Sequence, residues 1–311
     1  MRRELKFGAF LAATLAPVAA AAAGMLLASG ILHPMRKPLT AEHVKQSDEA
    51  LARTGATRED FTVTAPDGVK LHGWKFRARE PAATGDWVLV YHGVSDNRIG
   101  MIGQSELLLR HGYSVVAMDA RYHGASEGDK ATYGWLERHD TRAIADALFA
   151  SERVHHLFAL GSSMGASLAL QSAEVEPRIA GVVAEAAFAN LREVSYDYAG
   201  LRVSHWLGRT VGRPATWMAI GGAEKEGGFK ADDVSPEKAV AARNFPVFLI
   251  CGDKDRNIPC RHSQRIYESA AGPKAIWTVD GAGHAASLGH APAEYERRVI
   301  QFFSDIHNGR L

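Results

Sequence analysis

The sequence predicts an α/β domain: a mostly parallel, doubly wound sheet opened by an antiparallel hairpin, with one long insertion over about residues 191–243. Three observations lead there. Short apolar runs bounded by turns suit strands buried on both faces. Helical patterns alternate with those runs, as a parallel sheet requires of its crossovers. Before the alternation begins, two β-rich runs flank Asp67-Gly68, a pair suited to a hairpin turn.

In chain order, Arg2, Arg3 and Lys6 precede Phe7 to Leu32, which are 26 residues without a charge. As a helix this run would reach about 39 Å, more than the roughly 30 Å hydrocarbon layer. It reads as an uncleaved signal anchor occupying residues 1–35. The rival reading is a cleaved signal peptide, for which Ala19 to Ala23 offer small-residue sites. Residues 36–60 read as a polar linker containing a short helix, and the folded domain is expected over 61–311. Phe61 to Thr64 and Val69 to Phe76 form the hairpin. Strands follow at Trp87–Tyr91, Tyr113–Met118, Leu157–Leu160, Ile179–Ala184, Val247–Ile250 and Ala275–Val279. Helices are expected at Ser105–Arg110, Leu136–Ala150, Ala166–Ala173, Arg261–Ala270 and Ala293–His307. The interval 191–243 is too long for one crossover. Its Tyr196, Tyr198, Trp206, Trp217 and Met218 suit a lid at the carboxyl ends of the strands, where ligands sit in such sheets. A peripheral helical excursion is the alternative.

Composition narrows the function. The 311 residues are 46% hydrophobic and 23% charged, which excludes a disordered chain. With 36 basic against 35 acidic residues the net charge is +1, so the basic excess of a nucleic-acid partner is missing. Two cysteines cannot make a disulfide framework or a Cys-rich zinc site. Cys251 and Cys260 are read as separate buried thiols, with a disulfide across the intervening loop as the alternative.

The chemistry sits in Gly161-Ser162-Ser163-Met164-Gly165, a G-x-S-x-G pentapeptide between the strand HHLFAL and the helix ASLALQSAE. That strand–turn–helix setting is what a nucleophile elbow demands. Glycine on either side removes Cβ atoms that would collide in so tight a turn. Ser163 at its centre needs a base, and the base needs an acid. His284, in Gly281-Ala282-Gly283-His284, follows a strand and is the expected base, with His290 as competitor. Asp255, in the loop after Val247–Ile250, is favoured as the acid because several residues are needed to swing a carboxylate round to the imidazole. Asp253 and, more remotely, Glu185 are the alternatives. His92 and His123 read as loop-holding residues, Asp140 as a partner of a helix dipole, and His155-His156 as exposed at a strand start. No H-x-x-x-H or carboxylate cluster signals a metal, and no cofactor is called for.

These residues resemble the alpha/beta-hydrolase superfamily from Phe61 to the carboxyl terminus. Trp87–Gly93 resembles its strand-plus-HG signature. Asp119–Gly128, DARYHGASEG, resembles its D-x-R-G-x-G-x-S-x-G loop with Tyr122 in place of a small residue. CGDKDRNIP resembles its acid loop and points to Asp255, and GAGH resembles its histidine loop. The resemblance implies the alpha/beta-hydrolase fold with a short helical lid, and an oxyanion hole from the backbone N–H groups of Val94 and Met164. It is nearest to small membrane-tethered or exported serine hydrolases. The expected reaction is cleavage of a small-molecule or lipid carboxylic ester through an acyl-enzyme. Thioesterase, amide or peptide hydrolysis, and a non-catalytic binding role are the alternatives. The expected location is the membrane, through the N-terminal helix with the catalytic domain exported; secretion after signal cleavage is the other possibility.

Overall fold

The computed structural model describes residues 30–201, 204–210 and 212–311. Most of the apolar run assigned to a signal anchor therefore lies outside the described residues. Among the described residues no helix is long and apolar enough to cross a membrane.

The sheet has eight strands: β1 (Thr57–Thr64), β2 (Lys70–Arg77), β3 (Trp87–Tyr91), β4 (Ser114–Met118), β5 (Leu157–Ser162), β6 (Ile179–Glu185), β7 (Val247–Gly252) and β8 (Lys274–Val279). Their spatial order is β1-β2-β4-β3-β5-β6-β7-β8. The hairpin β1–β2 joins β4 antiparallel, and every pairing beyond β4 is parallel. The predicted hairpin and parallel run are both present. This is the alpha/beta-hydrolase arrangement.

The helices are α1 (Ala41–Thr54), α2 (Ile102–Arg110), α3 (Glu137–Ser151), α4 (Met164–Val175), α5 (Leu191–Gly200), α6 (His205–Arg209), α7 (Arg213–Gly227), α8 (Pro236–Ala242), α9 (Arg261–Ser269), α10 (Ser287–His290) and α11 (Pro292–His307). Alternate residues of each strand face opposite sides, which divides the core in two. Trp87, Leu89, Leu157 and Ala159 pack with α3, α4, α8 and α9, while Val88, Val90, Phe158 and Leu160 pack with α2 and α11. Helix α4 is buried along nearly its whole length. Its Gly165, Ala166, Ser167, Ala169, Ser172 and Ala173 are small enough to bring its backbone close to the sheet. Helix α11 instead buries one stripe, Tyr295, Val299, Phe302 and Phe303, at the spacing of an amphipathic helix.

Two expectations are corrected. Residues 36–60 are not a linker: β1 already begins at Thr57, and α1 lies on the domain with Ser47 and Ala50 fully buried. Val44 and Leu51 pack against the core face that holds α2, so burial makes this segment part of the domain. Nor are Cys251 and Cys260 separate thiols; they form a disulfide. Their Cα atoms are 5.5 Å apart because the end of β7 and the start of α9 flank one short loop, and that distance lies in the bridging range.

Candidate active site

Ser163 stands between the last residue of β5 and the first of α4 with φ 58° and ψ −120°, a left-handed conformation that costs an L-residue energy and persists where the surroundings enforce it. The two flanking glycines are the enforcement. A Cβ on Gly161 would lie 2.2 Å from the Gly165 oxygen, and one on Gly165 would lie 2.0 Å from the Tyr91 oxygen. The Ser163 amide donates to the Glu185 carbonyl at 2.8 Å, tying the turn to β6.

Three remote segments meet here. The Ser163 hydroxyl donates to His284 Nε2 at 2.8 Å, and His284 Nδ1–H donates to Asp255 Oδ2 at 2.8 Å. The other oxygen of Asp255 accepts the amides of Asn257 and Ile258 at 2.8 and 2.9 Å, which fixes the carboxylate plane. The disulfide closes the loop that carries Asp255.

The rival candidates have other partners. Asp253 accepts the Gly281 amide at 2.6 Å and the Lys254 ammonium at 2.9 Å, so it braces the turn that leads to His284. Glu185 accepts the Ser287 amide at 2.8 Å, and burial raises its carboxyl above the usual range. His290 is exposed at the end of α10. His92 and His123 do hold loops. His92 Nδ1 is 2.8 Å from the Gly93 carbonyl and its Nε2 accepts the Ala120 amide at 3.0 Å, while His123 Nδ1 is 2.9 Å from the Arg121 carbonyl. Burial lowers both imidazoles, His123 to about 4, so each serves as a neutral ring. Asp140 does lie in the first turn of α3, yet its main partner is the buried Arg121 guanidinium, 2.5 to 2.8 Å away. Burial nevertheless pushes the Asp140 carboxyl up to about 6.

Ser163, Val94 and Met164 line one cavity of about 490 Å³. Part of its wall comes from the 191–243 interval: Leu191, Val194, Ser195, Tyr198 and Ala199 on α5, and Thr216 and Ala219 on α7. Of the aromatic residues singled out there, Tyr198 faces the cavity and Tyr196 is buried, but Trp206 and Trp217 are 67% and 62% exposed.

A second part of the wall was missed from the sequence. Gly30, Ile31, His33, Pro34 and Met35, assigned to the anchor, line the cavity. Leu32 between them is fully buried against Phe188, Leu191 and Ile220. Its carbonyl accepts the Ala131 amide at 2.8 Å, and the Ile31 carbonyl accepts the Tyr133 hydroxyl at 2.7 Å. Arg36 donates to the Gly124 and Ser126 carbonyls. The Tyr122 ring, the departure from the D-x-R-G-x-G-x-S-x-G pattern, meets the His33 ring edge-on at 5.5 Å. The one available signal was this departure: a large residue at a small position needs something to pack on.

Comparison with known proteins agrees with the fold. Residues 83–240 match the family model Hydrolase_4, serine aminopeptidase, S33. The chain is 27% identical over 253 residues to the uncharacterized protein YqkD of Bacillus subtilis (strain 168), covering 80% of each. The Pyrococcus furiosus esterase PF2001 superposes with a TM-score of 0.69 at 24% identity, covering 87% of this chain and 97% of that one. A puromycin hydrolase gives a TM-score of 0.59 at 19% identity, over 74% of this chain and 36% of that one.

Proposed function

The chain belongs to the Hydrolase_4 family (serine aminopeptidase, S33) of alpha/beta hydrolases, and we propose that it hydrolyses carboxylic esters of apolar acids through an acyl-enzyme on Ser163. In this reading the Ser163 oxygen attacks the ester carbonyl as its proton passes to His284 Nε2. Asp255 holds the Nδ1–H tautomer and stabilises the imidazolium that forms. The N–H groups of Val94 and Met164 stabilise the oxyanion, each by about 3–4 kcal/mol if they match measured oxyanion donors. His284 returns the proton to the leaving alcohol, then activates the water that frees the acid.

One observation carries the choice of an ester over an N-terminal peptide: among the described residues, no aspartate or glutamate lines the cavity. An aminopeptidase must hold a free ammonium, and burying that charge without a counter-ion is costly. Ile31, Pro34, Met35, Phe188, Leu191, Val194 and Ile258 favour an apolar acyl chain instead. A membrane-tethered, exported enzyme is part of the proposal. Gly30 and Ile31, which end the described part of the uncharged run at residues 7–32, line the cavity, and exposed Trp206, Trp217 and Met35 suit a lipid–water interface. The Cys251–Cys260 disulfide supports an oxidising compartment.

The test compares p-nitrophenyl esters of increasing chain length with matching thioesters and aminoacyl p-nitroanilides. Esters of medium or long acids should be turned over best, and Ser163→Ala should lose both turnover and labelling by a fluorophosphonate probe. Equal labelling of the variant would remove Ser163 from the mechanism. Preferred cleavage of anilides bearing a free amine would replace the esterase reading with a peptidase.

A further inference from the structure

At the opposite end of the sheet from Ser163, four side chains from three distant segments converge. Asp86 precedes β3, His155 and His156 precede β5, and His307 ends α11. Because Trp87 pairs with Leu157 across β3 and β5, Asp86 stands beside His156 at the amino ends of the two central strands. One potential ligand atom from each of the four residues lies within 4.8 Å of all the others.

The details favour a bound cation. Asp86 is fully buried. Its Oδ1 faces Nδ1 of His156 at 3.1 Å and Nδ1 of His155 at 3.5 Å, and Oδ2 faces Nδ1 of His307 at 2.7 Å. The His156 amide also donates to Oδ1 at 3.1 Å, which helps to hold the carboxylate in place. The three imidazoles crowd together, with ring centroids 4.4 to 5.4 Å apart. A tetrahedral metal with bonds of about 2.0–2.1 Å has ligand-to-ligand edges of about 3.3 Å. The Asp86 contacts to His155 and His156 already bracket that edge, and separations up to the 4.8 Å limit require the three partly exposed imidazoles to turn toward a bound ion. Three nitrogens and one carboxylate oxygen suit Zn(II) and its transition-metal neighbours rather than the all-oxygen preference of Ca(II) or Mg(II).

We propose that Asp86, His155, His156 and His307 form a structural site for a divalent transition metal of the zinc class, which staples the amino ends of β3 and β5 to the end of α11. Four protein ligands leave no open position for substrate, the pattern of a structural rather than a catalytic site. The six-residue step from Leu157 to Ser163 along β5 separates it from the candidate active site by about 20 Å. The proposal is independent of the hydrolase reading. The sequence shows no metal signature because only His155-His156 are adjacent in it.

The test uses the full chain stripped with a chelator. Zn(II) is titrated against a chromophoric competitor, and Co(II) is titrated by its visible spectrum. One equivalent should bind, Co(II) should give the intense bands of a four-coordinate ion, and Zn(II) should raise the melting temperature. His155→Gln and His307→Gln alter partly exposed rings and should fold. Each should weaken binding by more than the roughly 10–100-fold that loss of an outer-sphere partner costs, while leaving ester turnover unchanged. His284→Gln should bind as the wild type does, which separates this site from the candidate active site. Absence of saturable one-to-one binding below millimolar zinc would overturn the proposal. So would unchanged affinity in the His155→Gln/His307→Gln double variant.

Discussion

Gly165→Ala tests whether the backbone geometry around Ser163 governs turnover. The new Cβ would stand 2.0 Å from the Tyr91 oxygen, 2.4 Å from the Tyr91 carbonyl carbon and 2.6 Å from the His92 oxygen. All three are main-chain atoms at the end of β3, so no side-chain rotation relieves them. A carbon and a carbonyl oxygen rest at about 3.3 Å or more, so α4 and the end of β3 must part by a little over about 1 Å. Those two elements carry Met164 and lead to Val94, the proposed oxyanion donors. Misplacement of that size costs about 100-fold in rate, and overpacking a tight site costs about 1–3 kcal/mol of stability. The expected result is a folded variant with a lower melting temperature and kcat down about 100-fold, with KM little changed. Kinetics on a p-nitrophenyl ester, the rate of fluorophosphonate labelling and a thermal melt measure all three. Gly221→Ala is the control. Its Cβ would meet nothing within 4 Å inside α7, and helix propensity predicts a gain of up to about 1 kcal/mol. A folded Gly165→Ala variant with wild-type kcat would refute the reasoning.

Three further outcomes follow from other contacts. Replacing both Cys251 and Cys260 by alanine should cost about 3 kcal/mol by the chain-entropy relation for so short a loop. It should also slow turnover through Asp255, and kinetics identical to the wild type would show that the disulfide does not hold the acid loop. Leu32→Ala should cost about 2–5 kcal/mol as a fully buried truncation and shift the preferred acyl length; a neutral melt would detach residues 30–35 from the cavity wall. Burial opposes the charge of Asp197 on α5, but His262 at 2.9 Å and Arg209 at 2.7 Å, with Arg261, outweigh it and hold its carboxyl at about 2. That lowered value means stability present above about pH 4 and lost as pH falls through 2, worth about 2 kcal/mol. Acid melts should show this loss in the wild type and not in Asp197→Asn; parallel profiles would remove Asp197 from the clamp between α5, α6 and α9.

Local rules made much of the molecule legible in advance. Alternating apolar runs and helical stripes are set by spacing along the chain, so all eight strands and five of the helices beside them (α2, α3, α4, α9 and α11) were expected close to where they stand, while α8, inside the interval assigned to a lid, was not. The elbow at Ser163 was legible for the same reason, since two glycines and a strand–helix junction are adjacent in sequence. The preference for Asp255 over Asp253 came from loop length, and the structure places Asp255 against His284 while Asp253 takes the Gly281 amide. Asp140 carried a local signal, the start of a helix, that concealed its main partner, because Arg121 sits nineteen positions away in the chain.

Periodicity and motifs a few residues long therefore carried the sheet, most of the helices beside it and Ser163 and His284 as candidates, whereas the acid stayed a choice between Asp255 and Asp253. Tertiary structure alone decided that residues 30–35 wall the cavity, that Cys251 and Cys260 are bonded, and that Asp86, His155, His156 and His307 meet. Each of those depends on how far folding brings separate segments together. That distance is fixed by the packing of the whole core, and no short window of sequence contains it.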